Sequence, residues 1–532
     1  MKLSLFRILL LGFLSLFFIS CFKKKQSTKD TLPLKNTFRF NIATEPPTLD
    51  WNKSTDTTSS LIVDNIMEGL LEYDFSKENM ALQPALASKW SSTSDGKIWT
   101  FTIREGVKWS DEKAFEAQHV IDGWERLLNP KTASEYAYFL YPIKNARSYS
   151  EGKIKDFSKV GVSINEKQEL VVELESGKSY FPYFVSHTST YPIRKDIIKK
   201  HGNQWTEPEN IVTLGAYKLK KWQHDKKIIL EKSDHYYDHK AVKIKNILIH
   251  IIPESGTAIN LFEKDRLDVI TNLPSRELPS LRKRKEYKSH PVLAIYYYGI
   301  NVKAKPFDNI KVRKAFSLAI DRKAITDLLK GDQEPLTGWI PPSLLGHDSS
   351  VGEGFKPKKA SLLLDSAGYK DRTTFPRVTI SYNTHEDHKR IAEKVQAQLK
   401  KHLNIQVELS NEEWKTYLQS LKIGKQQIYR MGWVADYPDP DNFMTLMTSY
   451  SENNHTDWGN ARYDALIEKA AGVLDPKERS QLYMEAQKIL VEQEVAVIPI
   501  YSARSHWLIS DRVLHFPLNI MGKISFKKVE LR

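Results

Sequence analysis

The sequence predicts an α/β fold divided over two or three domains. Its 532 residues exceed the roughly 250–300 at which one hydrophobic core stops growing. A content of 41% hydrophobic and 11% aromatic residues supplies the cores, with no low-complexity tract. Strand-like and helix-like periodicities then alternate along the second half of the chain.

The formal charge of +14 is not a nucleic-acid footprint. Lys and Arg are scattered among 65 acidic residues, and the densest late run, Arg282-Lys283-Arg284-Lys285, is followed at once by Glu286. The amino terminus carries an address instead. Lys2 and Arg7 precede an apolar run from Ile8 to Ile19, too short for a spanning helix of about 20 residues but right for a signal peptide. The only cysteine, Cys21, ends that run, so no intramolecular disulfide forms. This arrangement resembles a bacterial lipoprotein signal over residues 1–21, which implies lipid attachment at Cys21; residues 22–36 then read as a flexible tether.

Taken in order, Thr37 to Ile42 alternates as a first strand, and Leu61 to Leu71 has helical spacing, ending near Gly69. Asp95-Gly96 is a hairpin turn signal before Trp99, Phe101 and Ile103, which alternate as an inward face. Phe115 to Arg126 is a helix closed by Asn129-Pro130, and Tyr296 to Asn301 is a buried aromatic strand. Asp308 is available to cap a helix with Val312, Ala315, Phe316 and Ala319 inward. Val378 to Tyr382 and Ile405 to Leu409 are strands flanking a helix marked by Ile391, Val395 and Leu399. Asp475-Pro476-Lys477-Glu478 opens a helix to about Glu492, and Val495 to Tyr501 follows as a buried strand.

One stretch groups the chemistry. From Arg430 to Asn442 a cation, a tryptophan and a carboxylate (Arg430, Trp433, Asp436) stand around Gly432, Pro438 and Pro440. The apolar approach Gln427-Ile428-Tyr429 followed by Gly432 and the prolines reads as a strand running out into a rigid loop, where opposite charges can grip a zwitterion.

Other clusters lack catalytic or metal-binding patterns. His235 and His239 stand four apart in a loop, without the Glu of a zinc-protease helix. His385-Glu386-Asp387-His388 reads as a solvated helix start. Asp436, Asp439 and Asp441 do not make calcium-loop spacing, and Asp439 and Asp441 are assigned to the turn. No phosphate-cradling loop or nucleophile elbow occurs, so neither an enzyme nor a cofactor or metal is expected.

The block Leu86 to Asn129-Pro130, with Ile98-Trp99-Thr100-Phe101 and Glu105-Gly106-Val107-Lys108-Trp109-Ser110-Asp111, resembles the oligopeptide-binding group of extracytoplasmic solute-binding proteins of ABC importers. Asn210 to Lys220, and Tyr296-Tyr297-Tyr298-Gly299-Ile300-Asn301 leading to Val312 to Arg322, continue the likeness. The resemblance implies a two-lobed, periplasmic-binding-protein-like (type II) α/β fold. Lobe I would comprise residues 37–67, 190–290 and 505–532, an inserted domain residues 68–189, and lobe II residues 291–504. It implies a monomeric, lipid-anchored protein, periplasmic or at the cell surface, that hands extended oligopeptides to permease subunits. By the same resemblance Asp436 meets the peptide's α-ammonium. Arg430, His388 and, with a one-residue adjustment, Lys330 meet its carboxylate, while Tyr136, Trp414 and Trp433 line the cleft beside a retained Tyr501. A family Glu falls on Thr55 and a family Tyr on Ala503, so side-chain pockets differ. A muropeptide, a nickel complex or haem on the same scaffold, or a secreted zinc peptidase or amidase, are the alternatives.

Overall fold

The structure is a computed structural model, and it describes residues 32–77, 80–271, 273–473 and 475–532. Cys21, the signal region and most of the tether lie outside the described residues.

Strand β1 (Thr37–Ile42) opens the chain, followed by helix α1 (Thr57–Ile66). The helix starts and stops earlier than its apolar spacing predicts. The Asp56 carboxylate accepts from the N–H groups of Thr58 and Ser59, so the cap recruits a polar first turn that carries no periodicity signal. Strands β2 (Leu71–Tyr73) and β3 (Leu82–Pro84) pair, and β4 (Ala87–Ser92), β5 (Ile98–Ile103), β6 (Val162–Ile164) and β7 (Leu170–Glu173) form a separate sheet in the order β4-β5-β7-β6. Gly96 turns the β4–β5 hairpin at φ 65°, a conformation glycine adopts without steric cost. Helix α2 (Ala117–Leu128) packs beside this unit.

The remaining strands build one large sheet. They are β8 (Tyr217–Gln223), β9 (Lys227–Lys232), β10 (Asn246–Ile251), β11 (Val269–Ile270), β12 (Tyr287–Ile300), β13 (Glu334–Pro335), β14 (Val378–Asn383), β15 (Val407–Glu412), β16 (Ile428–Val434) and β17 (Val497–Ile509). With β1 they run in the order β15-β14-β16-β12-β17-β11-β1-β10-β9-β8, and β13 pairs with β17. The two long strands, β12 and β17, join the halves: the Leu508 end of β17 pairs with β11, and residues 294–300 of β12 pair with β16. Their mutual register breaks between Pro291 and Ile295. Proline removes a ladder N–H there, so the crossing is the least regular part of both strands.

Helices α3 (Ile310–Ala319), α4 (Arg322–Leu329), α5 (Glu386–Leu403), α6 (Trp414–Lys422) and α7 (Pro476–Lys488) belong to the second half. The cap of α3 is Asn309, whose side chain accepts from Lys311 N–H, and not Asp308, which ion-pairs with Lys305 at 2.7 Å. Asp475 caps α7 as its motif predicts, accepting from Glu478 N–H. Period-two alternation assigns the faces of β12: Tyr296, Tyr298 and Ile300 pack into a core with α3 and α5, while Ile295 and Tyr297 pack into the opposite one. Among the described residues no helix is long and apolar enough to cross a membrane.

Candidate functional site

Strand β16 carries the site, and it runs farther than its Gly432 predicts, through to Val434. Tyr429, Met431 and Trp433 are buried on one face, which places Arg430 on the other beside its cross-strand partner Tyr298. Gly432 pairs with Tyr296 and has no side chain, and the Arg430 guanidinium occupies that space, its carbon 4.6 Å from the Tyr296 ring centroid. Arg430 Nη1 donates to Asn383 Oδ1 at 3.1 Å, while its buried Nε has no hydrogen-bond partner. Tyr501 stacks on Tyr296 at 4.8 Å. His388 lies 5.6 Å from Tyr296 and its buried Nδ1 is also unpartnered, as are the hydroxyls of Tyr296 and Tyr298.

These orphaned groups matter because a buried polar atom without a partner costs about 1–3 kcal/mol. Their convergence on a cation describes a receptor for an anion with several acceptor lone pairs. The solvated start expected for α5 is corrected here, since Tyr296 from β12 covers His388. Burial first, then the Arg430 and His385 charges, hold His388 well below the usual histidine range, so it meets a ligand as a neutral imidazole. Burial pushes the Tyr296 hydroxyl up to about 12, against the opposing effect of Arg430.

Beyond Val434 the chain leaves the sheet. Pro438 and Pro440 cannot donate ladder bonds, and the short helix Asp441–Thr445 starts directly after them. Asn442 fastens this exit: its Oδ1 accepts from Trp433 Nε1 at 2.8 Å and from Asp436 N–H at 3.0 Å, and its Nδ2 donates to Asp436 Oδ2 at 3.2 Å. The Tyr136 hydroxyl lies 3.3 Å from both Asp436 oxygens, His187 Nε2 is 3.1 Å from Oδ1, and Tyr73 donates to the Asp436 backbone carbonyl at 2.9 Å. Burial and then the Asp436 charge push the Tyr136 phenol well above its ordinary value, so it remains a donor. Tyr136 and Trp433 stack at 6.3 Å.

Among the described residues no Lys or Arg pairs with Asp436, and no Asp or Glu pairs with Arg430. Asp436 is held by the Tyr136 hydroxyl, the Asn442 amide and the His187 ring. Asp439 and Asp441 do more than shape the turn. Asp439 accepts two hydrogen bonds from Arg479 at 2.7 and 2.8 Å, and Tyr437 donates to Asp441 at 2.7 Å, so both carboxylates are occupied away from Asp436.

The other expected site residues are more dispersed. Trp414 opens α6 and lies near Asp56, across from the half of the sheet that carries it. Lys330 is the exposed C-cap of α4 at φ 53°; its carbonyl accepts from Arg282, and among the described residues it makes none of the contacts that build either cluster. His235 and His239 lie in a turn after β9. His187, Asn383 and Tyr73 were not singled out from the sequence, and Asn442 and Tyr296 only as members of longer stretches. The one hint of a structured polar site was Ser186-His187-Thr188-Ser189-Thr190 following the aromatic run Tyr180-Phe181-Pro182-Tyr183-Phe184.

The chain is 32% identical over 507 residues to the oligopeptide-binding protein OppA of Bacillus subtilis (strain 168), covering 93% of this chain and 92% of that protein. A crystal structure of the periplasmic oligopeptide-binding protein OppAIV of Borrelia burgdorferi superposes with a TM-score of 0.89 at 33% identity, over 94% of this chain and 100% of that one. The Escherichia coli murein tripeptide binding protein MppA also superposes at 0.89 (28% identity; 94% of this chain, 99% of that chain), whereas an unliganded open form of MppA reaches only 0.63 (28% identity; 94% and 98%). The two halves of this chain therefore stand in an arrangement other than the open one. The family model described as bacterial extracellular solute-binding proteins, family 5 (middle), matches residues 81–455, and with these relatives it places the chain in that family of two-lobed α/β solute-binding proteins.

Proposed function

We propose that the protein captures an extended oligopeptide between its lobes and delivers it to the permease of an ABC importer. The observation that carries this reading is the placement of an unneutralised carboxylate, Asp436, and an unneutralised guanidinium, Arg430, along one strand and its exit. Asp436 lies six positions beyond Arg430, so at about 3.3 Å per extended residue their backbones stand no more than about 20 Å apart. A peptide of a few residues spans such a distance, its α-ammonium on Asp436 and its carboxylate at Arg430 and neutral His388. Both end charges need such partners, because a desolvated charge left unpaired costs several kcal/mol, roughly. Main-chain pairing of the ligand adds affinity without reading side chains.

The lobes are 37–67 with 190–290 and 505–532, and 291–504, with 68–189 inserted; the irregular crossing of β12 and β17 near Pro291 supports that division. Cys21 carries the lipid and residues 22–36 tether a monomer to the membrane. The likeness to a murein tripeptide binding protein supports a second reading, a cell-wall peptide in the same cleft. Mass spectrometry of ligands retained by protein purified from its host tests both: linear peptides with free amino ends are expected. Sugar-capped peptides favour the second reading, and stoichiometric zinc with peptide cleavage contradicts both.

A further inference from the structure

We propose that His187 is a positioning residue that sets the selectivity of this cleft for ligands with a free amino end, acting through Asp436. This rests on the reading above, that Asp436 receives the ligand's α-ammonium.

His187 comes from a segment far from β16, yet its Nε2 meets Asp436 Oδ1 at 3.1 Å. The other ring nitrogen fixes the tautomer: Ser189 N–H donates to Nδ1 at 3.3 Å, and the Ser189 hydroxyl lies 2.8 Å from the same atom. With Nδ1 accepting, the ring hydrogen of the neutral imidazole sits on Nε2 and points at the carboxylate. Tyr136 and Phe139 pack against the ring, each with its centroid 4.7 Å away and the two 4.9 Å from one another.

The segment under it is held as firmly. Trp51 Nε1 donates to the Tyr191 carbonyl at 3.3 Å, Trp124 Nε1 to that of Thr190 at 2.9 Å, and Asn52 Nδ2 to that of Ser189 at 2.9 Å. Gly123 lets α2 approach, since a β-carbon there would lie 2.7 Å from the Tyr191 carbonyl oxygen.

The consequence is geometric and electrostatic. A carboxylate offers about four lone-pair sites. Tyr136, His187 and Asn442 occupy most of them with neutral donors, which orient the group and leave its negative charge for a cation from the ligand. Lys or Arg at position 187 would hold Asp436 equally well and cancel that charge. Removing the Nε2 donor frees the carboxylate to rotate, and this weakens only ligands that present an ammonium to it.

Two substitutions separate this from a purely structural role. His187→Asn places an amide oxygen near the Nδ1 position, so it keeps the Ser189 acceptor but falls short of Asp436. His187→Gln reaches the Nε2 position and restores a donor. Calorimetry would measure the affinity ratio between a peptide and its N-acetylated form. The expected result is a roughly tenfold lower ratio in His187→Asn, a ratio within about threefold of wild type in His187→Gln, and no further change when His187→Asn is added to Asp436→Asn. Equal weakening of both peptides by His187→Asn, or no change at all, overturns the proposal while a lost ratio in Asp436→Asn leaves the peptide-end reading standing. An unchanged ratio in Asp436→Asn overturns both.

Discussion

Gly432 makes room for Arg430: a β-carbon at position 432 would stand 3.3 Å from Arg430 Nη2 and 3.2 Å from the Ile295 carbonyl oxygen. The glycine that looks in the sequence like the end of a strand is a gap inside it, through which the guanidinium reaches the Tyr296 ring. Gly432→Ala is expected to weaken binding of carboxylate-ended peptides several-fold and Gly432→Val more, with little change for C-amidated peptides. Titration calorimetry of the paired ligands measures this.

Arg430→Lys tests what the fork of the guanidinium contributes. Lysine keeps the charge but loses the planar donors that bond Asn383 and the ligand together. Affinity for carboxylate-ended peptides is expected to fall about tenfold, a loss of roughly 1.4 kcal/mol, and amidated peptides should be nearly indifferent.

A contact between the halves predicts slower ligand release. The Ser275 hydroxyl donates to Asp387 Oδ1 at 2.6 Å and Ser275 N–H to Oδ2 at 3.2 Å, beside an Arg276–Glu386 ion pair of 2.7 Å. Asp387 is in the first turn of α5, one residue before His388, so this contact closes over the carboxylate end. Ser275→Ala is expected to raise the dissociation rate about tenfold, as the loss of a hydrogen bond to a charged group implies, without altering preference between free and acetylated peptides. Stopped-flow tryptophan fluorescence reads both rates.

Stability should fall on mild acidification. Burial holds His506 down at about 4, and His388, His385 and His455 are lowered by the same cause. Such histidines take up protons preferentially in the unfolded chain, whose histidines titrate near 6.5. Stability is therefore unaffected by them above about pH 6.5 and is lost as pH drops below it, until the folded groups also titrate. For His506 the loss is about 1 kcal/mol by pH 5.5. Denaturant titrations at pH 7.5 and 5.5 check the sign, and His506→Gln should flatten the dependence by about one proton's worth.

What was legible in the sequence was local. The alternation at Tyr296 to Ile300 and the spacing of Val312, Ala315, Phe316 and Ala319 report faces directly, because side-chain direction follows the backbone period. Adjacent cap-forming residues are less readable: Asp308 and Asn309 compete for one position, and only the turn geometry decides. The environment of His388 was not legible, since its cover, Tyr296, comes from a strand distant in sequence. His187 has no local signature either; what makes it part of the site is Asp436, reached through the fold.

The most direct test is a calorimetric cycle with one peptide in free, N-acetylated and C-amidated forms against wild type, Asp436→Asn and Arg430→Met. The expected result is that Asp436→Asn removes sensitivity to acetylation while keeping sensitivity to amidation, and that Arg430→Met does the reverse. If each variant weakens all three forms alike, or neither changes any of them, the two charges do not hold the two ends of a peptide.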